Sequence, residues 1–252
     1  MIGMSCTHFG SRPFEDWIGP VSAEFRHWEV FSEAEHSILG NVPRFKGLID
    51  YAGITCSVHA PICDWNIASL SDRLRQASLK ETVATIMESA ELGAQTVTVH
   101  PGLSSMAVNG MEAKAEGLSR QSMRLIDAAA KEYGVTVAIE NMPNVPFFLG
   151  RTAESLSSLI DGTDLSVCFD IGHANTTGQI DAMMDMLGDR IANIHIHDNN
   201  GTRDEHLTIG EGNIDFQRVV SRLSGYGGNW IIESKDLPSA VESQSRLRKL
   251  LS

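Results

Sequence analysis

Nine side chains able to bind a metal or move a proton stand at the ends of apolar runs in this chain. His59 falls in SVHAP, His100 in VTVHPG, Glu140 in VAIEN, and Asp170 and His173 in CFDIGHAN. His195, Asp204 and His206 lie along IHIHDNNGTRDEHLTIGEG, and Glu233 lies in WIIESK. A lone histidine at a strand end is ordinarily a satisfied polar group. Carboxylates gathered in one place are costly unless cations neutralise them, so nine converging residues are most simply a metal site. Five imidazoles with four carboxylates suit Zn²⁺, with Mn²⁺ or Fe²⁺ as alternatives, because Ca²⁺ and Mg²⁺ prefer all-oxygen shells. One ion uses about four ligands, so the set predicts two or three ions bridged by carboxylates. Three Zn²⁺ would bring about +6 of charge against −4 from the carboxylates.

For these residues to converge, the apolar runs must be strands that open onto one face. Candidate strands cover residues 2–6, 25–31, 54–59, 96–100, 136–140, 165–170, 191–197 and 230–233. Helical stretches such as 69–92, 111–133, 153–160, 180–187 and 216–223 separate most of them, with Gly53, Gly93, Gly134 and Gly188 at helix ends. Strand alternating with helix predicts a parallel sheet covered by helices. Eight such strands in 252 residues predict one domain over residues 1–252, a (β/α)₈ TIM barrel. The competing doubly wound sheet usually carries a glycine-rich nucleotide loop after its first strand, and neither GxGxxG nor GxxxxGK[ST] occurs. In a barrel the C-terminal strand ends share the face where active sites are built, so strands three to eight aim their ligands at one point.

The formal charge of −12 argues against broad attraction to nucleic acid while leaving room for a local positive site. No run is long and apolar enough to span a bilayer, and MIGMSCTHFG has no basic region followed by an apolar stretch. A cytoplasmic protein without a membrane partner is therefore expected, and no protein partner can be inferred. Cys6, Cys56, Cys63 and Cys168 form no CxxC pair and are expected as reduced thiols, Cys56 and Cys168 as small hydrophobes inside strands.

DEHLTIGEGNIDF, following HIHD, resembles the zinc-binding segment of endonuclease IV. From about His59 to Glu233 the chain is similar to the endonuclease IV-like and xylose isomerase-like barrels (AP endonuclease family 2). That resemblance implies three zinc ions on nine ligands. His59 and His100 would hold the first ion, Asp170, His195 and Glu233 would surround a shared centre, and Glu140 would bridge. His173, Asp204 and His206 would complete the cluster. The chain departs from the nucleases after His59, where APICDWNIAS puts Ile62 or Trp65 near the place of an aromatic that probes an abasic site. NMPNVP follows Glu140 in place of a small glycine-rich sequence, and the short chain leaves little room for DNA-gripping loops.

Two reactions fit. The favoured one is metal-dependent hydrolysis of a phosphate ester, with Glu140 as bridge and local base and abasic-site DNA or a small phosphorylated molecule as substrate. The alternative is isomerisation or epimerisation of a sugar or sugar phosphate on one ion held by Glu140, Asp170, His195 and Glu233. There Glu140 and Glu233 would be the general base and acid, a reading that the acidic composition and compact length support. A non-catalytic metal-binding barrel ranks last. His197, two residues beyond His195, is expected to face the interior as a supporting histidine or a substrate contact. Arg203 and Lys235 are weaker candidates for a phosphate or sugar oxygen. His8 is expected to be structural, Gly210–Gly212 to turn the backbone, and Trp17, Trp28 and Trp230 to pack; His27 and His36 receive no role.

Overall fold

The structure, a computed structural model, describes residues 1–252. Its strands are β1 (Ile2–Ser5), β2 (His27–Phe31), β3 (Thr55–His59), β4 (Thr96–Val99), β5 (Thr136–Glu140), β6 (Ser166–Asp170), β7 (Ile191–Ile196) and β8 (Asn229–Glu233). They form one closed parallel barrel in chain order, β1 pairing with β8. The helices are α1 (Phe14–Glu24), α2 (Val42–Ala52), α3 (Asp72–Leu92), α4 (Glu112–Tyr133), α5 (Ala153–Leu159), α6 (Ile171–Thr177), α7 (Ile180–Leu187), α8 (Phe216–Arg222) and α9 (Leu237–Leu251). The chain is thus the (β/α)₈ TIM barrel that the alternation predicted, and no helix is long and apolar enough to cross a membrane.

Alternation along each strand divides the residues between two environments. Trp28 and Val30, Cys56 and Val58, Ile194 and Ile196, and Trp230 and Ile232 join a 52-residue apolar cluster with the helices. Trp28 stacks on Phe14 of α1 at 4.4 Å, and Trp17 stacks on Phe9 at 3.9 Å, so the tryptophans pack as expected. The intervening residues face the barrel axis. Asn193 of β7 donates across the axis to Glu29 of β2 at 2.8 Å and to Thr98 of β4 at 3.1 Å. Register fixes the rim: Asp170 lies beside His195, Glu140 beside Cys168, and Glu233 beside Ser5.

Some boundaries differ from the sequence reading. His100 and His197 each lie one residue past their strands, still on the inward side of the alternation. Gly53, Gly93 and Gly134 end helices in the left-handed region as expected, whereas Gly188 (φ −52°) continues into a 3-10 turn and needs no special freedom. Cys6, Cys56 and Cys168 are buried free thiols, and Cys63 is exposed.

Candidate metal centre

All nine residues singled out in the sequence meet at the C-terminal mouth of the barrel, and Glu140 lies at their centre. Its Oε2 faces His59 Nε2 at 3.2 Å and His100 Nε2 at 2.9 Å. Its Oε1 faces His195 Nδ1 at 3.1 Å and His173 Nδ1 at 3.5 Å. Four metal-sized groups result: His59, His100 and Glu140; Glu140, Asp170, His195 and Glu233; His173, His197, Asp204 and His206; and, overlapping the second, Glu140, Cys168 and His195. Within the second, Glu233 Oε1 is 3.1 Å from His195 Nδ1. Within the third, Asp204 Oδ2 is 3.3 Å from His173 Nε2 and 3.1 Å from His206 Nε2.

Neighbouring groups orient the imidazoles. His59 Nδ1–H donates to the Ala60 carbonyl at 2.8 Å, and His173 Nδ1–H donates to the Asn141 carbonyl at 2.9 Å. A carbonyl can only accept, so both rings turn an Nε2 lone pair to the site. Asp170 caps α6, its Oδ1 accepting the His173 backbone N–H at 2.6 Å, while its buried Oδ2 has no hydrogen-bond partner. Asn141 locks β5 to β6 by bonding the Asp170 backbone N–H at 2.8 Å and carbonyl at 2.9 Å. The segment bearing Asp204 and His206 is folded back by paired backbone bonds between Asp198 and Leu207 of 2.9 and 2.8 Å. Asp198 Oδ2 then accepts from the backbone of Gly210 at 2.8 Å and Gly212 at 2.9 Å. A Cβ on Gly212 would come within 2.3 Å of Asp198 Oδ1, which is why this turn is glycine-rich.

The electrostatics ask for positive charge. Burial alone would discharge His59, His173 and His195, yet the surrounding carboxylates, preceded at His195 by Cys168, outweigh it and raise all three, the latter two strongly. His197 is raised to about 9 against burial by Asp170 and Asp204. His100 is lowered, because there burial outweighs Glu140. Burial opposes ionisation of Glu140, Asp170 and Asp204, but the imidazoles hold all three below the usual carboxylate range. Protons on the imidazoles thus serve where divalent ions would neutralise the carboxylates. The orphaned Asp170 Oδ2, the lone pairs fixed by outer hydrogen bonds and the mixed nitrogen and oxygen donors together fit a Zn²⁺-type centre.

One member escaped the sequence reading. Glu29 on β2 is fully buried, its Oε1 2.6 Å from His195 Nε2, and Ser57 donates to its Oε2 at 2.7 Å. It commits His195 Nε2 and leaves Nδ1 for the site, and the local count of carboxylates becomes five. The only signal was an acid in the middle of HWEVF, alternating with His27 and Phe31 on one face. His27 joins the same network through Ser57 at 3.0 Å, and His36 packs against Phe14 and Trp28. Arg203 and Lys235 are exposed rather than drawn into the cluster. His8 Nδ1–H donates to the Lys235 carbonyl at 3.1 Å, a structural tie between two loops.

A cavity of about 170 Å³ opens beside His100, walled by Ile62, Trp65, Phe147 and Phe148 among others. Ile62 and Trp65, noted in the sequence for their place after His59, both line it.

A family model for xylose isomerase-like TIM barrels matches residues 21–250. An uncharacterized protein of Methanocaldococcus jannaschii is 37% identical over 237 residues, 90% of this chain and 80% of that one. A probable endonuclease 4 of Lysinibacillus sphaericus is 31% identical over 64% of this chain, which spans 60% of that protein. Among solved structures, a D-tagatose 3-epimerase-like protein superposes with TM-score 0.93 at 33% identity, over 99% of this chain and 96% of that one.

Proposed function

The chain belongs to the family of xylose isomerase-like TIM barrels, and from that premise we propose that it is a divalent-metal-dependent hydrolase of a phosphate ester on a multinuclear, zinc-type centre. The observation that carries this reading is the position of Glu140, whose two oxygens face different ligand groups at 2.9 to 3.5 Å. An enzyme using one ion has no need of His59, His100, Asp204 and His206 in the same mouth. The small, aromatic-walled cavity beside His100 favours a compact, sugar-like substrate, and the net charge of −12 opposes a long polyanion.

His59, His100 and Glu140 would hold one ion, Glu140, Asp170, His195 and Glu233 a second, and His173, Asp204 and His206 a third. The first two, when bound, would supply a nucleophile near neutral pH and offset charge on the reacting phosphoryl group, and the third would hold the segment bearing Asp204 and His206 in the mouth. Glu140, kept ionised by its imidazole neighbours, orients the attacking water and accepts its proton. Glu233, partly open to solvent at the rim, faces the substrate as the second acid–base group.

A second reading has its own support: Glu140 and Glu233 both approach His195 Nδ1 at 3.1 Å, so a single ion held there would have two carboxylates beside it as candidate acid and base, and a D-tagatose 3-epimerase-like protein is 33% identical. One assay separates the two. Zinc- and manganese-loaded protein is offered small phosphomonoesters, phosphodiesters, abasic-site DNA and ketoses, alongside His100→Ala and His206→Ala. Hydrolysis of a phosphate ester that both variants lose is the expected result. Ketose turnover without ester hydrolysis, kept by both variants, establishes the epimerase instead.

A further inference from the structure

His197 is the histidine of this mouth that neither reaction employs, and its surroundings are unusual. The side chain is fully buried, yet neither ring nitrogen has a hydrogen-bond partner. A histidine packed only for structure would have satisfied at least one. A substrate contact would have to be reachable, and this ring is not. Its Nε2 lies 3.4 Å from Asp204 Oδ1 and 3.3 Å from Asp170 Oδ1, at angles that make no hydrogen bond. The ring stacks on His206, centroids 4.1 Å apart and planes within 15°. Space for it is reserved by Gly172 of α6, where a Cβ would fall 2.0 Å from His197 Cε1 and 2.4 Å from Nε2.

We propose that His197 is a fourth protein ligand of the ion held by His173, Asp204 and His206, which makes this pocket a closed metal site while the other two stay open to substrate. Donor atoms of all four residues lie within 4.8 Å of one another. A tetrahedral shell with bonds of about 2.05 Å has ligand-to-ligand edges of about 3.3 Å. Asp204 Oδ2 lies 3.1 and 3.3 Å from His206 Nε2 and His173 Nε2, and its Oδ1 lies 3.4 Å from His197 Nε2, so the carboxylate reaches all three rings. Structural zinc sites fill all four positions with protein groups, whereas catalytic sites leave one for water or substrate. The group at His59 and His100 has three protein ligands, and the group at Asp170 shares its fourth, Glu140, with that neighbour. One ion is therefore resident and the others exchange with the medium.

The inference rests on the metal-centre reading but on neither choice of reaction. Zinc-loaded wild type and His197→Asn are placed in excess chelator, and bound zinc is followed by elemental analysis against time. Wild type is expected to lose its exchangeable zinc quickly and to keep about one ion per chain. In His197→Asn that ion should leave at least about 10-fold faster, since loss of a direct ligand weakens the shell no less than loss of an outer partner does. The metal-free variant is expected to melt below metal-free wild type, since it loses a buried ring that fills the space over Gly172, so zinc release is compared at a temperature where both are folded. If it does not fold, cobalt-loaded wild type decides: the chelator-resistant ion should show the intense visible bands of four-coordinate cobalt. Weak six-coordinate bands, or an unchanged slow fraction in His197→Asn, overturn the fourth ligand and leave the centre standing. Wild type that binds no zinc at all overturns the centre itself.

Discussion

His195 has both ring nitrogens committed, Nε2 to Glu29 at 2.6 Å and Nδ1 toward Glu140 and Glu233 at 3.1 Å. A carboxylate behind a metal-ligating imidazole fixes the tautomer and raises the basicity of the facing nitrogen. Glu29→Gln should therefore weaken zinc binding by about 10–100-fold while leaving the fold intact, because the amide still bonds Ser57 and Asn193. Competition titration against a coloured chelator checks this, and an unchanged affinity removes Glu29 from the centre. Glu140→Gln should act on turnover, lowering kcat by about 10²-fold or more at saturating metal, since an amide neither bridges nor accepts a proton at comparable strength. A correctly folded variant with near-normal kcat would take Glu140 out of the chemistry. The contrast explains what could be read without a structure. Glu140 ends a strand next to an Asn-Met-Pro turn and announces itself, whereas Glu29 sits inside HWEVF and could equally have faced solvent. Only closure of the barrel makes that side of β2 the interior.

At the scale of elements, the strands bearing the nine candidate ligands were legible because each ends an apolar run where helix-forming or loop sequence takes over. The helices α1, α2, α6 and α9 were not named from the sequence. α2 and α9 do carry an amphipathic period, with a proline at their first turns, whereas α1 is interrupted by Pro20 and α6 starts directly on the Asp170 cap with only seven residues. The close fit of α6 to β7 was invisible as well, since nothing in GHAN tells that the ring of His197 fills the space over Gly172. A pair of glycine substitutions tests this fit. In α4 a Cβ on Gly117 meets nothing within 4 Å, so Gly117→Ala should stabilise by about 0.5–1 kcal/mol through helix propensity alone. Gly172→Ala carries the same propensity gain but drives a methyl into the imidazole, and should destabilise by about 1–3 kcal/mol. Opposite shifts of the urea midpoint are expected; a stabilising Gly172→Ala would mean that α6 and β7 are not packed as described.

Taken whole, the molecule is an apolar shell around a polar axis, and it holds two sets of buried histidines that respond to pH in opposite directions. His27 and His36 are buried and held neutral, each lowered to about 4 by burial. Their unfolded pKa is near 6.5, so the unfolded chain takes up protons that the native one refuses. Stability they contribute is complete above pH 6.5 and is lost as pH falls toward 4, on the order of 2–3 kcal/mol for each. Glu29, lowered to about 2, carries the loss further once pH drops below 4.5. The mouth behaves the other way. His197, raised to about 9 against burial by Asp170 and Asp204, binds its proton more tightly when folded, as do His59, His173 and His195. What these four contribute to the metal-free protein is complete below pH 6.5 and is lost as pH climbs toward 9. Metal-free protein should therefore be most stable near pH 6.5 and weaken on both sides. Zinc removes the alkaline fall, because ions replace the protons that neutralise the carboxylates, and steepens the acid fall, because protons there compete with the ions for the imidazoles. Urea midpoints measured from pH 4.5 to 9 with and without zinc should show the alkaline fall only in the metal-free series and the acid fall in both. An alkaline fall that persists in zinc would mean that bound ions do not take over from the protons on these imidazoles.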